Sequence, residues 1–179
     1  MTPFFELIKT RRSIRKYLPK PVEQEKITQI TNAALMSPAS KRSNPWEFIV
    51  VQDQEMLLKL SDSRPHGSQL LAGSPLGIVV IADTTKSDVW MEDASIASII
   101  MQLQAHDLGL GSCWVQVYGR QKDEKTSTES YIRGLLNIPD HYAVLNVISI
   151  GYPDEERKAY DEDKLPIQKV HIDKYETHY

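Results

Sequence analysis

The sequence predicts a mixed α/β chain of about four strands, with more helix than one short sheet needs to cover its faces. Three observations lead there. Runs of β-branched and aromatic residues of strand length alternate with segments of helical period. The composition, 41% hydrophobic and 25% charged, is that of an ordinary globular chain. The 179 residues leave room for one hydrophobic core and little more.

Each element follows in order. Thr2 and Pro3 are cap and first-turn residues, and Phe4, Phe5, Leu7 and Ile8 recur at helical spacing, so a first helix should run into an arginine cluster and break near Arg12. After Pro19 to Pro21, the stretch from Glu23 to Met36 places Ile27, Ile30 and Ala34 on one helical face, and Ser37-Pro38 stops it. Trp46 to Val51 reads as a strand. Asp53 can cap a helix carrying Met56, Leu57 and Leu60, and Leu76 to Ala82 is a second, wholly apolar strand. From about Glu92 to Leu108 runs the most apolar helix; Ile96, Ile99, Ile100 and Leu103 form the face expected to cross the core, and Gly109 ends it. Ser112 to Val117 is read as a strand, Thr128 to Leu136 as a helix, and Ala143 to Ile150 as a final strand closed by Gly151-Tyr152-Pro153. The residues beyond have few apolar groups and could not fold alone. That tail and the long apolar helix both call for an extra partner, most economically a second copy of the chain.

Composition excludes several function classes. Cys113 is the only cysteine, so no internal disulfide and no thiolate metal site can form. The histidines His106, His141, His171 and His178 show no ligand spacing. No apolar run approaches the roughly 18 residues of a membrane span, and the N-terminal stretch is charged where a signal peptide would be apolar, so a cytoplasmic protein away from membranes is expected. A net charge of −3 speaks against a nucleic-acid binder. Yet residues 1 to 20 hold six basic groups against one acid. A concentrated positive site in an acidic protein suits a small anion.

Three segments could carry chemistry. Arg11-Arg12-Ser13-Ile14-Arg15 offers guanidinium forks and a hydroxyl that can clamp a phosphate monoester, although such a cluster is also an ordinary solvated turn. Ser37-Pro38-Ala39-Ser40-Lys41-Arg42-Ser43-Asn44-Pro45-Trp46 forces an irregular backbone that can approach a flat ring, with Asn44 as paired donor and acceptor; the plainer reading is a polar loop before a strand, with Trp46 in the core. Gly109-Leu110-Gly111-Ser112-Cys113-Trp114 lacks the strand-then-helix order of a dinucleotide fingerprint, and Cys113 reads as an inert buried thiol.

In their order along the chain, RRSIR, SPAS…NPWEF, GLGSCW and IGYP with its charged tail resemble the nitroreductase family of FMN-dependent oxidoreductases over nearly the whole sequence. The resemblance implies an α+β fold: a central, mainly antiparallel sheet of about four to five strands, flanked by helices, in an intertwined homodimer with FMN at the subunit interface. Residues 1–179 would form a single FMN-binding domain, with 152–179 as an extended tail packing on the partner subunit. Arg11, Arg12, Ser13 and Arg15 would hold the FMN phosphate and ribityl chain. Pro38, Ala39, Ser40 and Asn44 would reach the flavin from the other subunit, and His66 and Gln69 would meet the pyrimidine end of the ring. Val115, Gln116 and Val117 would pass near N5 and O4, and Lys164 in the tail would reach the phosphate.

The implied reaction is a two-step exchange in which NADH or NADPH gives hydride to flavin N5 and a small electron-poor acceptor, such as a nitroaromatic, quinone or enone, then collects it. No side chain is required as nucleophile or general base, because the coenzyme carries the chemistry. Some relatives place a lysine near flavin N1 where this sequence aligns Gln69, and Arg42 is a candidate to supply the missing charge. A dehalogenating or flavin-cleaving specialist, a non-catalytic flavin-binding or storage protein, and a generic phosphate-binding module are the rival readings.

Overall fold

The protein is described by a computed structural model that covers residues 3–177. Thr2, the expected cap, and His178 lie outside the described residues. Four strands, β1 (Trp46–Val51), β2 (Leu76–Asp83), β3 (Gly111–Gln116) and β4 (Tyr142–Gly151), form one sheet in the order β1-β2-β4-β3, antiparallel throughout. Five helices accompany it: α1 (Phe4–Thr10), α2 (Gln24–Leu35), α3 (Gln54–Ser61), α4 (Trp90–Asp107) and α5 (Thr128–Leu136).

The central strand β2 is apolar along its whole length because both faces of the sheet are covered. Ile78 and Val80 point into one core with Ile27, Ile30, Ala97, Met101 and Ile148, beneath α2 and α4. Val79 and Ile81 point into the other with Leu57, Leu60, Ile132 and Val147, beneath α3 and α5. Alternation along a strand thus sends neighbouring residues into separate cores. Local chemistry fixes the helix ends. The Asp53 carboxylate accepts the Met56 N–H at 2.7 Å and the Ser127 hydroxyl accepts the Ser130 N–H at 3.0 Å. Gly109 (φ +75°) and Asn137 (φ 54°) turn the chain left-handed after α4 and α5.

The expected inner face of α4 is corrected by the structure. Ile96 and Ile99 are 38% and 39% exposed, and Ile100 and Leu103 are only partly buried. The face turned inward is Ala94, Ala97, Ser98, Met101, Gln102 and Ala105. Small residues are needed there because α4 is packed against both α2 and the sheet. Ile96 and Ile99 are left on the outside, as are Phe4, Phe5 and Met36, and Ile100 and Leu103 line an apolar depression of about 540 Å³ with Phe4, Leu7 and Ala33. Among the described residues, no helix is long and apolar enough to cross a membrane.

The tail is exposed but anchored to its own chain. The Asp154 N–H donates to Lys16 O at 2.9 Å, the Tyr160 N–H to Lys9 O at 3.0 Å, and Lys9 pairs with Glu162 at 2.5 Å. Where the tail leaves β4, Tyr152 donates to the Glu23 carboxylate at 2.7 Å and accepts from Lys26 at 3.0 Å. The Tyr152 hydrogen bond holds the Glu23 carboxyl down at about 2, against its ordinary 4.5. A depressed carboxyl contributes stability above its unfolded value and loses it as pH falls toward its folded one. Urea titrations at successive pH values should therefore show the wild type losing slightly more stability between pH 4.5 and 2 than Glu23→Gln; parallel curves would show that this contact contributes nothing.

Candidate functional site

The arginine segment leaves α1 and lies against the open edge of β3. Ser13 bridges Ser112 in parallel register, and the Ile14 N–H donates to Ser112 O at 3.0 Å. Ile14 sits where a side chain at position 111 would be: a Cβ on Gly111 would fall 2.7 Å from the Ile14 Cβ. Gly151 likewise leaves room for Pro75 and Tyr17, which lie 2.6 and 2.9 Å from where a Cβ would stand. The buried Tyr17 hydroxyl donates to Ile14 O at 2.6 Å and lies 2.7 Å from Ser149 Oγ. Burial pushes its pKa well above the usual tyrosine value, so the hydroxyl keeps its proton.

Docked in this way, the segment presents its side chains unequally. Arg11 and Arg15 have no carboxylate partner among the described residues. Arg12 turns to the tail, donating to Lys158 O and lying over the Tyr160 ring at 4.8 Å. Glu155 accepts the backbone N–H groups of Arg15 and Lys16, at 2.5 and 3.3 Å, and is neutralised by Arg157 at 2.6 Å. His106, within hydrogen-bond reach of Thr10 at 2.9 Å, has its pKa lowered by burial and then by Arg11. Burial raises the Cys113 thiol, which suits an inert side chain rather than a nucleophile.

Beyond Ser112 the outer edge of β3 borders a cavity of about 450 Å³ lined by Arg15, Arg64, Gly67, Gln69, Leu70, Cys113, Trp114 and Gln116. Sequence reasoning passed over Arg64, a solitary arginine in a polar loop. Its guanidinium donates to Gln116 O at 3.0 Å. Gln69 does not present a free amide: it donates to Arg64 O at 2.9 Å and accepts the Gly67 N–H at 2.8 Å, which closes the loop. His66 is exposed on that loop. Val115 and Val117 are buried in the core, so of the three strand residues only Gln116 has its side chain toward the cavity, held between Trp114 Nε1 at 2.8 Å and Tyr118 O at 2.9 Å. Lys164 is exposed in the tail and pairs with Asp161 at 2.8 Å.

Pro38, Ala39, Ser40 and Asn44 lie elsewhere. They precede β1 at the other sheet edge, and the Ser13 bridge joins the end of the sheet where Ile150 pairs with Leu76, whereas Trp46 pairs with Ala82. Three strand spacings across and six residues along put the two segments roughly 25 Å apart on a diagonal. One chain cannot bring both onto the same small group. The Asn44 segment is nevertheless firmly shaped. Buried Asp93 accepts the Ser40 N–H at 2.8 Å, and Lys41, Arg42 and Asn44 all have positive φ (52°, 57° and 42°). Left-handed backbone at three non-glycine residues is costly and clusters where function requires it. Ser43 Oγ and Trp46 Nε1 are buried without a hydrogen-bond partner among the described residues.

This arrangement can hold an elongated anion with a flat end: cations without counter-charges at one end of an open strand edge, and a cavity along it. Known proteins resemble the chain over nearly its whole length. The description "Nitroreductase family" fits residues 8–66 and 57–152. A solved structure called an FMN-dependent nitroreductase, from Clostridium difficile R20291, is 51% identical, superposes with a TM-score of 0.95, and covers 96% of this chain and 100% of its own. A chain from Archaeoglobus fulgidus, provisionally named an NADH dehydrogenase/NAD(P)H nitroreductase, is 38% identical over 98% of this chain and 100% of its own. A structure from Parabacteroides distasonis with the same provisional name is 35% identical, with a TM-score of 0.87 and coverage of 96% and 98%.

Two variants test the geometry. Gly111→Ala should cost about 1 to 3 kcal/mol by overpacking against Ile14 and should speed hydrogen exchange at the Ile14 amide; unchanged protection there would refute the seating of the segment. Arg12→Ala should expose residues 158–162 to limited proteolysis while Arg11→Ala leaves them protected, and equal cleavage of both would remove the tail-holding role of Arg12.

Proposed function

The chain belongs to the nitroreductase family, and on that footing we propose that it is an FMN-dependent oxidoreductase that passes hydride from NADH or NADPH to small electron-poor acceptors such as nitroaromatics, quinones and enones, one substrate after the other at a single site. The observation that carries this reading is that Arg11 and Arg15, on the segment docked against β3, have no carboxylate partner among the described residues, and that Arg15 also lines the cavity along the open edge of that strand. Guanidinium forks match phosphate oxygens in pairs, and the Ser13 hydroxyl adds one donor. The 450 Å³ cavity continuing along the strand is of a size to take a ring. FMN would supply the two-electron chemistry when bound; the chain's work is to hold it and to position what stacks on it, which is worth much of the barrier when reacting atoms are held about 3 to 3.5 Å apart.

Arg11, Ser13 and Arg15 hold the phosphate and ribityl chain in this proposal. Arg12 stands one shell out, holding the tail that carries Lys164 toward the phosphate. His66, Gln69 and the β3 edge from Val115 to Val117 border the ring. A second copy of the chain supplies Pro38, Ala39, Ser40 and Asn44, and the exposed outer side of its tail, which residues 154–162 anchor to its own chain, packs on its partner. Three features of one chain support the homodimer: the roughly 25 Å diagonal between the two half-sites, the exposed apolar side chains Phe4, Phe5, Met36, Ile96 and Ile99, and Ser43 Oγ and Trp46 Nε1, which have no partner among the described residues.

Purified protein should be yellow, release FMN on denaturation, bleach anaerobically with NADH or NADPH, and recolour with a nitroaromatic or quinone. Bound FMN that neither nucleotide reduces would make it a flavin-binding protein instead. The double change Ile96→Glu with Ile99→Glu should give a folded monomer by sedimentation that holds at least tenfold less FMN, and a monomer with full FMN would contradict the shared site.

A further inference from the structure

We propose that His106 is a positioning residue for the anion clamp: through Thr10 it sets the direction in which Arg11 leaves α1, and so the grip of the clamp on a phosphate. The inference rests on the FMN reading above and gives a part in it to a side chain that acts only through its neighbour. α1 needs such a tie. It is seven residues long and has no buried residue, so packing within the chain does not fix its end. At Arg11 the backbone turns from helical to extended (φ −61°, ψ 123°), and a small rotation of Thr10 there swings the guanidinium that follows.

The tie is specific in its atoms. The Thr10 hydroxyl has one hydrogen, and it is donated to Glu6 O at 2.6 Å. His106 Nε2, 2.9 Å from the same hydroxyl oxygen, is therefore the donor, which fixes the ring as the tautomer with its proton on Nε2. The charges that act on the ring are Arg11 at the exit of α1 and Asp107 on its own helix, while Arg12, Glu155 and Arg157 share with it a cavity of about 200 Å³. Burial first and Arg11 second pull its pKa below the ordinary 6.5, against a smaller opposing effect of Asp107, so at neutral pH the ring is an uncharged donor. An uncharged imidazole holds Thr10 without competing with Arg11 for the phosphate.

The far side of the tie is firm. His106 stands in the last turn of α4, whose end is closed by the Gly109 N–H on His106 O at 3.0 Å, the Leu110 N–H on Ala105 O at 2.9 Å and the Lys26 ammonium on Leu108 O at 2.9 Å. The same turn leads directly to Gly111, which seats Ile14. It therefore holds both ends of the arginine run, Thr10 through His106 and Ile14 through Gly111 and Ser112. Arg11, Arg12 and Ser13 are strung between two points of one short turn, and their spacing is set before any ligand arrives. Groups held in place in advance lose less freedom on binding, and affinity rises accordingly.

The test compares wild type, His106→Phe, His106→Gln, Thr10→Val and the double variant His106→Phe with Thr10→Val, each full-length apoprotein titrated at neutral pH with FMN and with riboflavin, which lacks the phosphate. Phenylalanine keeps a ring and loses the donor, whereas glutamine can donate from a similar distance. His106→Phe and Thr10→Val should each weaken FMN about threefold to tenfold, the range one net hydrogen bond spans, while riboflavin stays within about twofold. The double variant should be no weaker than the poorer single one, because both changes remove the same contact. His106→Gln should recover most of the loss. FMN and riboflavin weakened alike would make His106 a packing residue, and losses that multiply in the double variant would mean that the two side chains act separately. Either result overturns the inference, as would unchanged FMN affinity in His106→Phe or a glutamine variant no better than phenylalanine. Wild-type protein that binds no FMN would instead overturn the reading on which the inference stands.

Discussion

The seating of Ile14 where Gly111 has no side chain is the constraint on which the rest of the site depends. Any other residue at position 111 would put a carbon within 2.7 Å of the Ile14 Cβ and lift the segment from the sheet. With the contact made, the Ile14 amide and the Ser13 bridge occupy the first rungs of the β3 edge, and Tyr17 locks the far end through Ile14 O and Ser149. An exposed strand edge is normally a liability that must be covered. Here the docked segment covers one end and the Arg64 guanidinium caps Gln116 O at the other, and the stretch between them borders the cavity.

In the proposed function, the same sheet order that creates this edge calls for a second chain. With β1 and β3 at opposite edges, the Asn44 turn and the arginine segment occupy diagonal corners of the sheet. Asp93 pins the Asn44 turn from inside while three left-handed residues push its backbone outward. Those are features of a surface prepared for something outside its own chain. The exposed isoleucines of α4 belong to the same account: an apolar stripe of this kind on a folded chain marks an interaction surface.

Much of this was legible in the sequence, and the failures have physical reasons. The strands and helices could be placed to within a residue or two because β-branched runs, Asp53, Gly109 and the proline pairs are local signals. The face of α4 was misread because periodicity rewards the largest apolar residues, whereas a helix wedged between α2 and a sheet needs the smallest, so Ala97 and Ala105 went in and Ile96 and Ile99 stayed out. The arginine cluster was visible as a cluster, but nothing local distinguishes Arg12 from its neighbours; only the return of the tail some 145 residues later, at Lys158, does so. Arg64 and Asp93 gave no signal, since a lone charge in a polar loop or a helix's first turn usually faces water. Gly111 was seen as one of a weak pair of glycines, and its purpose becomes visible only with Ile14 beside it.

Mixed dimers test the central claim, that each site is built from two chains, most directly. Subunits carrying Arg11→Ala with Arg15→Ala and subunits carrying Asn44→Ala with Ser40→Pro should each form flavin-poor homodimers. Co-expressed and separated by distinct affinity tags, the heterodimer then has one site with both defects and one with none. The account predicts about half the wild-type FMN per dimer and a matching share of NADH-driven reduction. A heterodimer as empty as its two parents would mean that each site lies within one chain, and would contradict it.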